Sequence, residues 1–134
     1  MTKFEPVWLT IPLFDGIKPE KPYHKEHQKR TMQVFPVQNL HVLARSDVET
    51  EGNGEKYLLR ISDDYYKLWV NGRFAGQGPA PAWPEKYYYN EIDITEFLHP
   101  GKNVLAVHLY YQGLINRVWN SGDGRFALTA QLIC

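Results

Sequence analysis

A strict two-residue alternation of apolar and polar side chains recurs in short segments along this chain. From Leu40 to Arg45, for example, Leu40, Val42 and Ala44 fall on one side and their neighbours on the other. This period indicates β-strands. Turn-forming residues separate about seven such segments, and no amphipathic stretch is long enough for a substantial helix. The pattern predicts an all-β fold, an antiparallel β-sandwich.

The middle of the chain carries the clearest turn signal. The strand-like segment Tyr65 to Val70 is followed by Asn71-Gly72, the commonest chemistry for a two-residue hairpin turn with positive φ at both positions. Residues Arg73 to Gln77 would form the returning strand. Val104 to Tyr111 is apolar on both sides, which predicts a strand in the centre of a sheet.

Three further expectations concern local structure. The polar, glycine-containing stretch Asp47 to Glu55 predicts an exposed loop, and Tyr87 to Ile94 predicts a strand. Thr95 would cap one helical turn before Pro100-Gly101 reverses the chain. A final strand is expected where Phe126, Leu128, Ala130 and Leu132 alternate with polar neighbours.

The first part of the chain predicts an irregular N-terminal arm. Residues 1–33 contain Pro6, Pro12, Pro19 and Pro22 among charged residues, and proline neither continues a helix nor donates to a sheet. The β-sandwich domain would then comprise residues 34–134. Apolar residues such as Trp8 and Phe14 predict that part of the arm packs against the sandwich.

Composition excludes several classes of protein. The 134 residues carry 15 Lys and Arg against 15 Asp and Glu, so no basic excess is present to neutralise nucleic acid phosphates. No apolar run approaches the roughly 20 residues of a membrane span, and the start lacks the pattern of a signal peptide. We therefore expect neither nucleic acid nor membrane as a partner, and a cytoplasmic location.

Catalytic and metal chemistry find little support in the sequence. His24 and His27 have the spacing of metal ligands on a helix, but flanking prolines argue against a helix and a third ligand is not evident. The carboxylate pairs Asp63-Asp64 and Glu91-Asp93, and also Asp123, are more simply read as turn and strand carboxylates than as a glycosidase pair. We expect no catalytic residue, metal or cofactor in this chain.

Aromatic residues supply the candidate binding site. They form 14% of the chain, with nine Tyr and four Trp, and their flat faces suit a sugar ring or a protein interface equally well. The aromatic candidates are Trp83, Tyr87, Tyr88, Tyr89 and Trp119, and the nearby hydrogen-bonding candidates are Asn116, Arg117, Asn120 and Asp123. Of these we single out Trp83, Tyr88, Asn116, Arg117 and Trp119 as a carbohydrate-binding or interface site.

Four motifs in sequence order carry a resemblance to a known family. They are Val70-Asn71-Gly72, Gly76-Gln77-Gly78-Pro79, Tyr89-Asn90-Glu91-Ile92-Asp93-Ile94-Thr95 and Pro100-Gly101-Lys102-Asn103. Together they resemble the N-terminal accessory β-sandwich of bacterial α-L-rhamnosidases. Some of them also occur in the galactose-binding-like jelly rolls, or sugar-binding domains, of β-galactosidases.

The resemblance implies a galactose-binding-like jelly roll without catalytic residues of its own. In that family a separate (α/α)6 barrel performs hydrolysis, so the implied partners are the catalytic domain of a parent glycosidase and, if the aromatic loops bind sugar, a rhamnose-containing glycan. The implied function is a noncatalytic accessory domain packing on the catalytic barrel. The alternatives are a stand-alone carbohydrate-binding module and the sugar-binding domain of a β-galactosidase-like enzyme.

Overall fold

The computed structural model describes residues 3–19, 37–114, 120 and 122–134. The strands in these residues are β1 (Leu40–Thr50), β2 (Leu58–Ser62), β3 (Tyr66–Val70), β4 (Arg73–Gly78), β5 (Asn90–Asp93), β6 (Gly101–Tyr111) and β7 (Thr129–Ile133). Two short 3-10 turns, Pro12–Phe14 and Thr95–Phe97, accompany them. Within the described part of the chain, no helix is long and apolar enough to cross a membrane.

The strands form two antiparallel sheets. One has four strands in the order β1-β6-β3-β4, and the other has three in the order β5-β2-β7. Their facing sides enclose a core that includes Ile61 from β2, Leu68 and Val70 from β3, and Leu109 from β6. The predicted β-sandwich is therefore confirmed, and β6 is an inner strand as its two apolar sides predict.

The predicted hairpin is also present. β3 and β4 pair with Val70 opposite Arg73, and the two turn residues have positive φ, 50° at Asn71 and 78° at Gly72. Positive values at both positions define the type I′ turn, whose twist matches that of the flanking strands. A β-bulge between Leu68 and Trp69 interrupts the register of the same pair.

Asparagines from two of the four motifs are hydrogen-bonded to each other. Asn71 Nδ2 donates to Asn103 Oδ1 over 2.8 Å and also to the Phe97 carbonyl, while Asn71 Oδ1 accepts from the Val104 amide. Asn103 is fully buried and donates to Thr50 and to the His99 and Gly101 carbonyls. These bonds join the hairpin turn to the entry of β6, so both motifs have a structural role.

The glycine of a third motif is required by close packing. A Cβ atom on Gly78 would collide with Oδ1 of Asn90, the atom that accepts a 2.6 Å hydrogen bond from the buried Tyr66 hydroxyl. The Gly76-Gln77-Gly78-Pro79 motif thus lets β4 pass close to the start of β5. Packing within the sandwich therefore explains why a glycine stands at position 78.

The loop predicted from Asp47 to Glu55 is wrong at its start. β1 continues to Thr50, because β6 is equally long and pairs with β1 from Tyr111 to Gly101. Lys102 Nζ lies 2.7 Å from Asp47 Oδ2, and this hydrogen bond lowers the pKa of the exposed Asp47 carboxyl. Pairing with β6 therefore holds this polar sequence in a strand, although its local preference is for a turn.

Two other local predictions need correction. The strand expected from Tyr87 begins only at Asn90, because the Tyr88 carbonyl accepts from the Ser62 hydroxyl and the Tyr87 hydroxyl donates to Asn120. Thr95 lies inside the 3-10 turn that it was expected to cap. Its amide instead donates to the Asp93 carboxylate over 3.1 Å.

The described part of the arm contributes to the core. Phe14 is buried with its ring centroid 4.8 Å from that of Tyr111 and 5.2 Å from that of Phe126. Leu9 forms a single antiparallel bridge with Leu128. The division into residues 1–33 and 34–134 stays a prediction, because residues 20–36 lie outside the described part.

Candidate functional site

Two of the predicted site residues lie in the loop between β4 and β5. Trp83 is 52% exposed and Tyr88 is 55% exposed, so both side chains are accessible to a partner. A local turn with a 2.9 Å bond from the Lys86 amide to the Trp83 carbonyl shapes this loop. The other three predicted residues, Asn116, Arg117 and Trp119, lie outside the described residues.

Asn120 joins the loop around Trp83 to the end of β2. Its Oδ1 accepts from the Ala82 amide over 2.7 Å, and its Nδ2 donates to the carbonyls of Asp63 and Asp64. Its own carbonyl accepts from the Tyr87 hydroxyl over 2.7 Å. The residues that neighbour Trp83 and Trp119 in sequence, Ala82 and Asn120, are therefore in direct contact at one end of the sandwich.

A cavity of about 440 Å³ opens beside this loop, and we call it the arm cavity. Its lining comes from the arm, the loop after Trp83 and the segment before β7: Trp8, Thr10, Phe14, Ile17, Pro84, Glu85, Tyr87, Arg125, Phe126 and Ala127. The Trp8 and Tyr87 rings meet edge to face with centroids 5.4 Å apart. The cavity thus combines aromatic surface with a cation, a carboxylate and a hydroxyl.

A short acidic–basic motif fixes the cation in the cavity wall. Nε of Arg125 donates to Oδ2 of Asp123 over 2.7 Å, and the guanidinium also donates to the Pro84 carbonyl. The Asp123 carboxylate accepts in addition from the Arg125 amide. The hydrogen bond to Asp123 raises the pKa of Arg125, so the side chain stays charged and oriented.

Tyr87 lines the arm cavity, and its hydroxyl donates to the Asn120 carbonyl. Burial, together with the negative charges of Asp123 and Asp64, raises its pKa well above the usual range. Tyr87 therefore remains a neutral hydrogen-bond donor and is not suited to act as a base.

Asp63 is the most unusual titratable group near this end of the sandwich. It is fully buried, and among the described residues neither carboxylate oxygen has a hydrogen-bond partner of good geometry. Burial raises its pKa well above the usual value, although the nearby amides of Asp64 and Tyr65 partly oppose that effect. With no exposed surface, the carboxyl group cannot meet a substrate.

The carboxylates considered for acid–base chemistry make structural contacts. Glu91 Oε2 accepts from Arg60 Nε over 2.8 Å, and Asp93 accepts from the Thr95 hydroxyl over 2.6 Å. In the described ranges, no three His, Cys, Asp or Glu side chains form a group that could hold a metal ion. His24 and His27 lie outside those ranges.

Sequence reasoning missed Trp8 and Arg125 as site residues. Trp8 stands in the arm, and the prolines around it indicate irregular structure without showing which loop it meets. Arg125 follows Asp123 by two residues, a spacing at which the two side chains can bind each other. The sequence does not show that Arg125 reaches the Pro84 carbonyl. The cavity depends on contacts between residues more than 100 positions apart.

Apolar side chains that follow or precede cavity-lining residues in the sequence are exposed on the arm and on the neighbouring loop. Val7 is 73% exposed and Leu9 62% exposed, and Tyr88 and Tyr89 are also accessible. The Phe4 ring packs on Tyr89 with centroids 4.8 Å apart, which connects the two segments. We call Val7, Leu9, Tyr88 and Tyr89 the arm–loop surface.

Comparisons with known proteins identify what the fold resembles. No protein-family model and no curated protein matches this sequence. Among solved structures, a family GH78 rhamnosidase of Bacillus sp. GL1 is 26% identical over 78% of this chain and 11% of its own, with a TM-score of 0.62. The α-L-rhamnosidase of Aspergillus terreus is 19% identical over 78% of this chain and 13% of its own, with a TM-score of 0.58.

A structure named for another glycosidase shares the fold at lower similarity. A putative β-galactosidase from Bacteroides fragilis is 15% identical over 76% of this chain and 16% of its own, with a TM-score of 0.53. In all three cases the match covers less than a fifth of the larger protein. The resemblance predicted from the four motifs is confirmed: this chain resembles a single β-sandwich domain that makes up a small part of α-L-rhamnosidases and related glycoside hydrolases.

Proposed function

We propose that this chain is a noncatalytic accessory domain of an α-L-rhamnosidase-like glycoside hydrolase and packs on the catalytic domain of that enzyme. The observation that carries this proposal is the similarity to about a tenth of two rhamnosidases. The contacts of Glu91 and Asp93 support it, since hydrogen bonds within the fold account for both carboxylates without a catalytic role. A cytoplasmic location goes with the same proposal.

The arm–loop surface is the expected contact with the catalytic domain. Isolated apolar side chains are common on protein surfaces, but neighbouring ones on an arm and an adjacent loop favour an interface. Covering Val7, Leu9 and the two tyrosines removes apolar area from water, which stabilises association. Trp83 and Tyr88, the predicted site residues with described positions, lie on the same loop.

This contact is tested with the separately expressed catalytic domain of the parent enzyme. Val7→Glu and Leu9→Glu should weaken its binding, because each places a charge in an apolar interface. Leu43→Glu is the matched control, since Leu43 is 82% exposed and lies on β1, which is not part of the arm–loop surface. Equal binding by all three variants would contradict the proposed surface.

A second candidate function is carbohydrate binding in the arm cavity. Its volume of about 440 Å³ lies in the range of small-ligand sites. Trp8 supplies an aromatic face, while Arg125 and Glu85 supply hydrogen bonds of the kind that sugar hydroxyls accept and donate. A rhamnose-containing glycan is the proposed ligand, and this role fits an accessory domain or a stand-alone carbohydrate-binding module.

Calorimetry with rhamnose-containing oligosaccharides tests the sugar site. Losing a desolvated aromatic anchor costs about 2 kcal/mol or more, or about thirtyfold in affinity, so Trp8→Ala should abolish weak binding. Trp83→Ala and Trp119→Ala distinguish the loop site predicted from sequence from the arm cavity. If no glycan binds the unchanged chain, the carbohydrate role fails while the packing role stands.

The β-galactosidase-like alternative has its own test. A rhamnosidase parent predicts binding to the barrel of that enzyme and to rhamnosides, whereas a β-galactosidase parent predicts association with a catalytic domain active on β-galactosides. The higher identity and TM-score of the Bacillus rhamnosidase favour the first. The enzyme whose catalytic domain binds this chain is assayed on aryl α-L-rhamnosides and on aryl β-galactosides. The substrate that it hydrolyses shows which of the two parents is correct.

A further inference from the structure

Two histidines meet on the outer face of the four-stranded sheet, away from the arm cavity. His41 lies on β1 and His108 on β6, where His41 is opposite Tyr110 and His108 is opposite Leu43. The histidines are therefore diagonal neighbours on one face. Nδ1 of His41 lies 2.8 Å from Nε2 of His108, and the ring centroids are 5.0 Å apart.

The nitrogen–nitrogen distance matches two adjacent ligands of one metal ion. Imidazole nitrogens bind first-row divalent metals at about 2.0–2.1 Å, so two ligands at a right angle lie about 2.9 Å apart and two at a tetrahedral angle about 3.4 Å apart. The observed 2.8 Å fits the right angle. Right-angle arrangements of nitrogen ligands are typical of Cu²⁺ and Ni²⁺.

We propose that His41 Nδ1 and His108 Nε2 form a two-histidine site for a divalent transition-metal ion, with Cu²⁺ and Ni²⁺ preferred over Zn²⁺. Without metal, one of the facing nitrogens donates its proton to the other. On binding, this hydrogen bond breaks, the donor ring moves its proton to its other nitrogen, and two nitrogen–metal bonds form. Two neutral rings therefore release no net proton.

The sheet holds the backbones of both ligands in register before the metal arrives. β1 and β6 pair along eleven residues each, and the His41 ring also packs on Tyr110 with centroids 5.1 Å apart. Little conformational entropy is then lost on binding, which favours affinity. Because His41 is exposed, the remaining coordination positions are open to water or to a donor group on another molecule.

One nearby charge opposes the metal. Lys67 on β3 is directly opposite His108 in the same sheet, and its ammonium group repels a divalent cation. Lys67→Gln should therefore increase the affinity for metal. Because this variant should bind metal more tightly, damage to the fold cannot produce the expected result.

The experiment is titration calorimetry of the full chain at pH 7.5 with CuCl₂ and NiCl₂, and with MgCl₂ as a hard cation that disfavours imidazole. We expect one site for Cu²⁺ and Ni²⁺ and none for Mg²⁺. Removing a residue that only hydrogen-bonds to a metal ligand lowers metal affinity by about tenfold or more. Losing a ligand itself, in His41→Ala or His108→Gln, should therefore lower the affinity at least about tenfold. Ni²⁺ should also raise the melting temperature of the unchanged chain. It should not raise the melting temperature of the His41→Ala variant.

Control variants distinguish this pair from the other histidines. His99→Ala removes an exposed histidine whose ring contacts the Pro100 carbonyl, and it should leave the affinity unchanged. The double variant His24→Ala/His27→Ala should do the same. The proposal is overturned if metal binding survives both His41→Ala and His108→Gln, or if it disappears in the His24/His27 variant.

Discussion

At the scale of single residues, the motifs that make this chain recognisable are explained by packing and hydrogen bonding. Asn71 occupies a turn position with φ of 50° and reaches the buried Asn103 across the sheet. Gly78 passes Asn90 where a Cβ has no room. Sequence similarity carried by such residues predicts a fold strongly and says less about a ligand.

Gly72→Val should destabilise the fold by about 1–2 kcal/mol. Gly72 has φ of 78°, a left-handed conformation that costs other L-residues about this much and β-branched ones the most. No atom lies within 4 Å of a Cβ built at Gly72, so the loss would come from the backbone alone. Thermal unfolding of Gly72→Val beside Gly72→Asn, which tolerates this conformation, measures it; equal melting temperatures would place the strain elsewhere.

Asp63→Asn should stabilise the protein near neutral pH, because the neutral amide avoids the desolvation cost of a buried carboxylate. The pKa of Asp63 in the folded state is raised well above 3.8. The folded state therefore binds a proton more tightly than the unfolded state, and the stability from that proton is present below about pH 3.8 and lost as the pH rises through the folded pKa. The gain from Asp63→Asn should shrink as the pH approaches 4.

Asp93→Asn is the matched control with the opposite sign. Hydrogen bonds from Thr95 lower the pKa of Asp93, so its contribution is present above about pH 3.8 and lost as the pH falls. Asp93→Asn should therefore lower the melting temperature at pH 7. In acid, the melting temperatures of the variant and the unchanged protein should converge. Parallel pH curves for the two variants would refute the burial argument.

At the scale of elements, strands with strong local patterns were predictable and their ends were not. The turn residues Asn71 and Gly72 fix the β3–β4 hairpin locally, and the apolar sides of Val104 to Tyr111 fix β6. β1 extends through Asp47 because β6 supplies partners for it. Tyr88 leaves the expected strand because Ser62 binds its carbonyl, and neither contact can be read from adjacent residues.

The candidate site was less predictable than the strands for the same reason. Trp83 and Tyr88 are exposed as a binding site requires, and the loop and Asn120 do meet. The arm cavity, however, joins Trp8 and Thr10 to Arg125 through a bridge between Leu9 and Leu128. Nothing in the local sequence specifies that bridge.

The arm should contribute strongly to stability through one side chain. Phe14→Ala removes a buried ring packed on Tyr111 and Phe126, and large-to-small changes of this kind cost about 3–5 kcal/mol. Leu13→Ala is the control, because Leu13 is 46% exposed and surface changes usually stay within about 0.5 kcal/mol. Denaturant unfolding compares the two, and similar midpoints would show that the arm is not part of the core.

At the scale of the whole molecule, the described residues form a β-sandwich, and we propose that it serves a larger enzyme. Its two sheets enclose one core, Glu91 and Asp93 accept hydrogen bonds within the fold, and several of its exposed apolar residues lie on the arm and on the loop after Trp83. The matched structures are several times longer than the parts that this chain resembles. We therefore expect hydrolysis to depend on protein outside the residues described above.

The most direct test is to capture the natural polypeptide that contains this sequence, using an antibody raised against the 134-residue chain. The captured material is then assayed on aryl α-L-rhamnosides, beside the purified chain alone. We predict that the captured material hydrolyses the rhamnoside and that the purified chain does not. Turnover by the purified chain that disappears in Glu91→Gln or Asp93→Asn, or captured material without any glycosidase activity, would contradict the account.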